Sequence, residues 1–132
     1  MIGLDTNVVV RFLVQDDPQQ SALATQLMEG LTRERPGFIG MVVLAEITWV
    51  LSRAYKASRQ DIANAVEGLL RANEIVVENA EAGYRAVAAY QRAGAGEFAD
   101  ALIAQTASLS GASEIVTFDA QAAKAFGMRA LR

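Results

Sequence analysis

The 132-residue chain is long enough for one domain, and 52% hydrophobic with 20% charged residues is typical of a globular protein rather than a disordered one. It contains neither cysteine nor histidine, which excludes disulfides, thiol chemistry, the usual zinc sites and a histidine general base. The net charge of −3 does not favour nucleic-acid binding by charge alone. Any catalysis must use carboxylates, hydroxyls, amines or a hard metal ion held by oxygen atoms.

The apolar runs are short and interrupted by charge, so the sequence predicts no membrane span. The N-terminus lacks a basic region followed by a long apolar stretch, so no signal peptide is predicted and the cytoplasm is the default location. No linker, repeat or low-complexity segment interrupts residues 1–132, which we therefore expect to form a single domain.

Strand and helix patterns alternate along the first part of the chain. Apolar periodicity, capping residues and turn residues together predict the following elements. They are a strand at 1–4, a helix at 8–14, a helix from Asp16-Asp17-Pro18 to Arg35-Pro36-Gly37, a strand at 38–39, a helix at 41–51, a helix opened by Ser58 and a strand at 75–77.

The second part continues with helices at 80–93 and 98–109, a strand at 114–117, a helix at 119–126 and a possible fifth strand at 128–131. This alternation implies parallel strands joined by right-handed crossovers. The strand residues are mostly β-branched and apolar, which predicts that helices cover both faces of the sheet. We therefore expect an α/β fold, a three-layer α/β/α sandwich with a central parallel sheet of four to five strands.

Four acidic residues lie in otherwise apolar segments. Asp5 and Asp119 follow the first and fourth predicted strands, so both belong to the rim where α/β sheets bind ligands. Glu46 lies in "VVLAEITWVL" and Asp100 in "FADALIAQTA", where Glu97 precedes Asp100 by three positions. These positions make the four acids candidates for a common site.

Each acid also has an ordinary structural explanation. Asp5 and Asp119 suit helix N-caps, Glu46 suits the solvent side of a helix, and Glu97 and Asp100 suit a first helical turn. Together, however, clustered carboxylates repel one another, and a divalent cation removes that repulsion. Two such ions about 4 Å apart can hold an attacking water and a leaving oxygen on one phosphodiester.

The segments "IGLDTNVVVRFL", "VVLAEITWVL", "FADALIAQTA" and "IVTFD" resemble, in order, the acidic motifs of PIN-domain ribonucleases, specifically VapC-type toxins of bacterial toxin–antitoxin pairs. The resemblance implies metal-binding and catalytic roles for Asp5, Glu46, Asp100 and Asp119. It implies polar supports at Thr6, Asn7 and Thr117, and a further acid, Glu97, that binds the metal directly or through water. It also implies Mg²⁺- or Mn²⁺-dependent hydrolysis of tRNA or rRNA, a homodimer and a cognate VapB-type antitoxin whose C-terminal segment fills the acidic groove.

An RNA substrate would also need phosphate contacts and base contacts. The candidates for phosphate contacts are Arg11, Arg53, Lys56, Arg59 and Arg92, all of which also suit a solvated surface. Trp49 and Tyr55 are candidates for stacking on bases, although such aromatic residues more often belong to a core or a dimer interface.

Three other functions remain open. "LDTN" is similar to the start of haloacid-dehalogenase-like phosphatases, with Asp5 as nucleophile, but Asn7 replaces the aspartate that would be the general acid. "GAGEFA" fits the letters of a nucleotide-binding fingerprint, although a helix rather than a strand is predicted before it. The third is a non-catalytic PIN-like module that binds RNA or protein.

Overall fold

A computed structural model of the protein describes residues 1–131, which divide into two compact units, Met1–Ala80 and a second unit that begins at Glu81. Within residues 1–131 the chain forms seven helices and five strands. In chain order they are β1 (Ile2–Gly3), α1 (Thr6–Val14), α2 (Pro18–Glu29), β2 (Gly37–Ile39), α3 (Met41–Arg53), α4 (Arg59–Arg71), β3 (Ile75–Val77), α5 (Ala80–Ala93), α6 (Phe98–Leu109), β4 (Val116–Thr117), α7 (Ala120–Phe126) and β5 (Arg129–Ala130).

The first unit contains a three-stranded parallel sheet in the order β1-β2-β3. Two helices connect each strand to the next, as parallel pairing requires. The backbone ladder between β1 and β2 extends to Leu4, whose N–H donates to the carbonyl of Phe38 at 2.9 Å. Asp5 therefore follows the last hydrogen-bonded position of β1.

The core of the first unit is formed by apolar residues at helical or strand spacing. On α3, Leu44, Ile47 and Leu51 are buried with Thr48, which defines the inner face of that helix. Further buried residues lie on β2, α1 and α4: Ile39, Val9, Val10, Ile62, Val66 and Leu69. Helix α3 contacts both α1 and α4, so its orientation is fixed by neighbours from two sides.

The second unit contains the parallel pair β4 and β5, joined by α7. Its hydrophobic cluster consists of Ala104, Ala122 and Met128, with Ile115, Ala123 and Phe126 packed against it. Tyr90 of α5 and Phe98 of α6 meet edge to face with ring centroids 5.4 Å apart. These contacts set the start of α6, where Asp100 lies.

The α/β class with parallel strands is confirmed, and β3, α5 and α6 have the predicted bounds. Among the described residues the five strands form separate sheets of three and two strands, whereas a single sheet of four to five was expected. Strands β1, β4 and β5 are only two residues long, so few ladder bonds define each pairing. None of the described helices has the length and apolar character to cross a membrane, as predicted.

Three helix boundaries were predicted wrongly by two residues or more, one of them the end of α3, which lies at Arg53 rather than residue 51. Helix α1 begins at Thr6 rather than residue 8, because the extended backbone and side chain of Asp5 cap it. Helix α2 ends at Glu29 rather than near Arg35, because the chain leaves the helix at Gly30 and then turns. In that turn the Thr32 N–H donates to the Arg35 carbonyl, and the Arg35 N–H donates to the Thr32 hydroxyl.

The prediction that helices cover both faces of the sheet fails at two strand residues. Val76 of β3 is 42% exposed and Val116 of β4 is 46% exposed. Side chains alternate between the two faces of a strand, and Val76 and Val116 point outward. The residues that follow them, Val77 on β3 and Thr117 on β4, are less exposed. In these two strands, an apolar sequence therefore does not mean that both faces are buried.

Two glycines in the loop before α6 differ in how closely the protein packs around them. Gly94 and Gly96 both have positive φ, of 66° and 88°. A Cβ at Gly96 would approach Phe126 Cε2 to 2.6 Å, whereas a Cβ at Gly94 would meet nothing within 4 Å.

We expect Gly94→Ala to lower the free energy of unfolding by about 1–2 kcal/mol, which is the cost of placing a residue with a side chain in a left-handed backbone conformation. Gly96→Ala should lower it clearly more in urea unfolding; equal losses would contradict the close contact with Phe126.

Candidate carboxylate site

Thr6 links two of the candidate acids in the first unit. Its backbone N–H donates to Asp5 Oδ1 at 2.8 Å, and its hydroxyl donates to Glu46 Oε1 at 2.8 Å. Thr6 is buried, at 7% exposure, whereas Asp5 and Glu46 are exposed. The structure thus brings together two carboxylates that are forty-one positions apart in sequence, with a buried hydroxyl that orients one of them.

The local sequence explains both placements. Asp5 lies between the end of β1 and the first residue of α1, with an extended backbone (φ −81°, ψ 159°). Glu46 lies on the side of α3 opposite Leu44 and Ile47, so it is exposed, as the ordinary explanation of this residue predicted. The bond from Thr6 nevertheless fixes its carboxylate.

A second group of acids lies at the start of α6 in the second unit. Glu97 is the N-cap residue of α6 without a side-chain capping bond, and Asp100 lies in the first turn. Burial raises the pKa of Asp100 above its ordinary value, and the negative charges of Asp119 and Glu97 raise it further. Asp100, Glu97 and Asp119 therefore interact electrostatically, which is the repulsion expected of clustered acids.

Asp119 is the N-cap of α7, as its ordinary explanation predicted. Its Oδ1 accepts from the Ala122 N–H at 3.0 Å, and its own N–H donates to the Thr117 hydroxyl at 3.0 Å. The capping bonds of Asp119 and Asp5 each use Oδ1. Because a carboxylate has two oxygens, capping a helix and binding a cation are compatible at both residues.

Asn7 is exposed near the N-terminus of α1. It lines a cavity of about 350 Å³ together with Val8, Arg11, Gln20 and Leu23. The predicted role of Asn7 as a polar support near the acids remains a prediction.

Arg11, a candidate for phosphate contact, is held by several side chains. Its Nη1 donates to Asp16 Oδ1 at 2.9 Å and to the Tyr55 hydroxyl at 2.8 Å, and its Nε donates to Gln20 at 2.9 Å. The Tyr55 hydroxyl in turn donates to Asp16 at 2.7 Å, which together with Arg11 lowers the pKa of Asp16. An RNA phosphate would have to compete with Asp16 for Arg11.

No sequence pattern predicts this network, because Tyr55 is distant from Arg11 and Asp16 in the chain. The other candidates for RNA contact lie at the end of α3 and the start of α4. Arg53 and Lys56 are exposed, Arg59 is half-buried and Arg92 of α5 is exposed. The guanidinium carbon of Arg53 lies 5.6 Å from the centroid of the Trp49 ring.

The acidic groups fit a hard cation by their chemistry. Within residues 1–131, no cluster of three or more Asp, Glu, His or Cys side chains has the arrangement of a complete metal site. The donors in the two groups are nevertheless all carboxylate oxygens, which Mg²⁺ and Mn²⁺ prefer. Burial is the main cause of the raised pKa of Asp100, and the negative charges of Asp119 and Glu97 add a repulsion that a cation would relieve.

The segment "GAGEFA" follows α5 directly, so a helix and not a strand precedes it. The nucleotide-binding fingerprint requires a preceding strand. The structure therefore does not support a nucleotide-binding module at Gly94–Ala99.

The fold is of the α/β class, and Asp5 and Asp119 each lie two residues beyond a parallel strand, β1 and β4. Proteins of this class generally bind ligands beyond the carboxyl ends of their strands. Comparison with protein-family models then identifies the family: the PIN domain model matches residues 2–126, and the chain belongs to this family. No curated protein and no solved structure matched the chain. PIN domains are generally metal-dependent nucleases that act on RNA, so membership of the family suggests a nuclease.

The raised pKa of Asp100 predicts a pH dependence of stability. The folded protein holds the Asp100 proton more tightly than the unfolded chain, so the free energy of unfolding falls as pH rises from about 3.8 through the raised pKa. We expect Asp100→Asn to remove this fall and to stabilise the metal-free protein at neutral pH. Urea unfolding at a series of pH values measures both effects. A less stable Asp100→Asn protein at neutral pH would contradict the raised pKa of Asp100.

Proposed function

We propose that the protein is a divalent-metal-dependent endoribonuclease that hydrolyses phosphodiester bonds of structured RNA, tRNA or rRNA. The observation that carries the proposal is the PIN domain match over residues 2–126, a range that includes all four candidate acids. The bond network of Asp5, Thr6 and Glu46 supports it, because it orients two of those acids.

In this proposal Asp5, Glu46, Asp100 and Asp119 bind Mg²⁺ or Mn²⁺, with Glu97 as a further acid that binds directly or through water. A bound divalent ion would lower the pKa of a water molecule and offset the charge of the phosphodiester, so the absence of histidine is no obstacle. The oxygen-only donor set favours these ions over zinc.

The polar neighbours of the acids act as positioning residues. The Thr6 hydroxyl fixes one oxygen of Glu46, and the Thr6 N–H fixes one oxygen of Asp5. Thr117 fixes the backbone of Asp119 through the bond from the Asp119 N–H. Each bond reduces the number of side-chain or backbone orientations that binding a cation would otherwise have to restrict.

We further propose that the protein is a VapC-type toxin that acts in the cytoplasm as a homodimer. Its partner would be a VapB-type antitoxin whose C-terminal segment places a basic side chain among the acids. The net charge of −3 and the raised pKa of Asp100 support such a partner, since a cationic group there would relieve the repulsion.

Cleavage assays with isosteric variants test the nuclease proposal. Asp5→Asn keeps an Oδ1 that can accept from the Thr6 N–H, so it removes the charge while retaining the cap. We expect purified protein to cleave structured RNA only with Mg²⁺ or Mn²⁺, and Asp5→Asn or Asp100→Asn to lower the cleavage rate by about 100-fold or more.

The matched control is Asp61→Asn, which removes an exposed carboxylate from the first turn of α4 and should cleave RNA at the wild-type rate. Normal cleavage by Asp5→Asn and Asp100→Asn would refute the assignment of these acids. Release of phosphate from a small phosphomonoester, with no RNA cleavage, would favour the phosphatase alternative instead. RNA binding without any product in Mn²⁺ would favour the non-catalytic module.

Brief expression in a bacterial host tests the toxin proposal. We expect wild-type protein to arrest growth and to create new RNA 5′ ends at a few positions in tRNA or rRNA, because a toxin cuts selected sites. Sequencing of 5′ ends in induced cells, with Asp100→Asn as the inactive control, measures this. Normal growth together with unchanged 5′ ends would contradict a toxin role.

A further inference from the structure

One stripe of α3 faces away from the core of the first unit. Val42 is 75% exposed and Trp49 is 54% exposed, and Glu46 and Arg53 are also exposed. The spacing of residues 42, 46, 49 and 53 places all four on one side of the helix, which we call the α3 outer face. A candidate catalytic acid therefore shares this face with a large aromatic residue and a cation.

The guanidinium group of Arg53 lies over the Trp49 ring. The guanidinium carbon of Arg53 lies 5.6 Å from the indole centroid, within the range of a cation–π interaction. Even with this contact, more than half of the Trp49 side chain remains exposed. Exposure of so large an aromatic group costs free energy, and stacking on another flat ring would recover it.

The neighbours of Trp49 indicate what stacks there. Residues three positions apart on a helix have Cβ atoms about 5–6 Å apart, so a ring on Trp49 would lie beside Glu46. Arg53 supplies a positive charge at the same surface, which suits the phosphate of a nucleotide better than an apolar protein segment.

We propose that Trp49 stacks on an unpaired nucleobase next to the phosphodiester that the acids cleave, with Arg53 contacting an adjacent phosphate. This proposal rests on the proposed ribonuclease function. Stacking requires a base whose face is accessible, and duplex RNA does not offer one. The α3 outer face therefore selects single-stranded loops of structured RNA over paired regions.

Fluorescence tests this proposal directly, because Trp49 is the only tryptophan in the chain. The Asp100→Asn protein, in Mg²⁺, allows binding without cleavage. We expect a hairpin RNA to quench tryptophan fluorescence to saturation. Duplex RNA of equal length should quench weakly, and so should a hairpin in which the loop bases are replaced by abasic sites. Anisotropy of end-labelled RNA measures affinity independently of quenching.

Substitutions of Trp49 separate stacking from charge. In the same Asp100→Asn background, Trp49→Ala should weaken hairpin binding by roughly 10- to 100-fold, and Trp49→Phe should retain most of the affinity because it keeps an aromatic face. The matched control is Tyr84→Ala, which removes another exposed aromatic group, on α5, and should bind RNA as tightly as its parent.

Three results would overturn the proposal. The first is that hairpin RNA fails to bind, or binds without quenching the tryptophan fluorescence. The second is an unchanged affinity of Trp49→Ala for the hairpin, and the third is a tryptophan fluorescence that falls with protein concentration in the absence of RNA. The last result would assign the α3 outer face to a second copy of the chain.

The cleavage assay on wild-type protein separates the stacking proposal from the nuclease proposal. Cleavage without a Trp49 effect refutes only the stacking contact, and quenching without wild-type cleavage refutes only the nuclease.

Discussion

The paired hydrogen bonds of Thr6 are the interaction on which the first acidic group depends. The first N–H groups of a helix have no partner within the helix, and a buried hydroxyl needs one as well. Asp5 satisfies the first requirement of Thr6 and Glu46 satisfies the second. The bonds that complete the start of α1 therefore also orient the side chains of two candidate catalytic acids.

Three carboxyl groups of this protein have shifted pKa values, and the shifts run in opposite directions. Glu114 pairs with Arg129, and Asp16 bonds to Tyr55 and Arg11; in both cases these bonds lower the pKa of the carboxyl. Asp100 is the opposite case, because burial and two neighbouring acids raise its pKa. Structural acids are thus compensated by side chains of the protein, whereas Asp100 would be compensated by a bound cation. This difference distinguishes Asp100 from Asp16 and Glu114 without reference to the family.

Local signals in the sequence predicted local structure well. The bounds of β3, α5 and α6 followed from apolar periodicity and from the glycines that flank α6, and the caps at Asp5 and Asp119 were correctly given as ordinary explanations. The predicted end of α2 was wrong because Pro36 and Gly37 were interpreted as the residues that terminate the helix, although it already ends at Gly30. The order of the acidic motifs predicted the family.

Contacts between distant residues could not be predicted in the same way. The bond from Thr6 to Glu46 and the bond from Tyr55 to Asp16 depend on how α1 packs against its neighbours, and no sequence spacing encodes that. The pKa of Asp100 likewise depends on burial in the folded chain. The sequence therefore identified the candidate acids, but only the structure shows which charged side chains are paired with another side chain of the protein.

The charge balance also constrains how such a protein could hold RNA. Arg11, Arg71, Arg85 and Arg129 are each paired with a carboxylate, so their charge is partly offset before any phosphate arrives. With a net charge of −3, long-range attraction to RNA is weak. Under the proposed function, affinity must then come from short-range contacts, namely a cation among the acids and an aromatic surface such as Trp49. A binding mode of that kind would favour RNA whose bases are already unpaired, because only those bases can stack without first being separated from a partner.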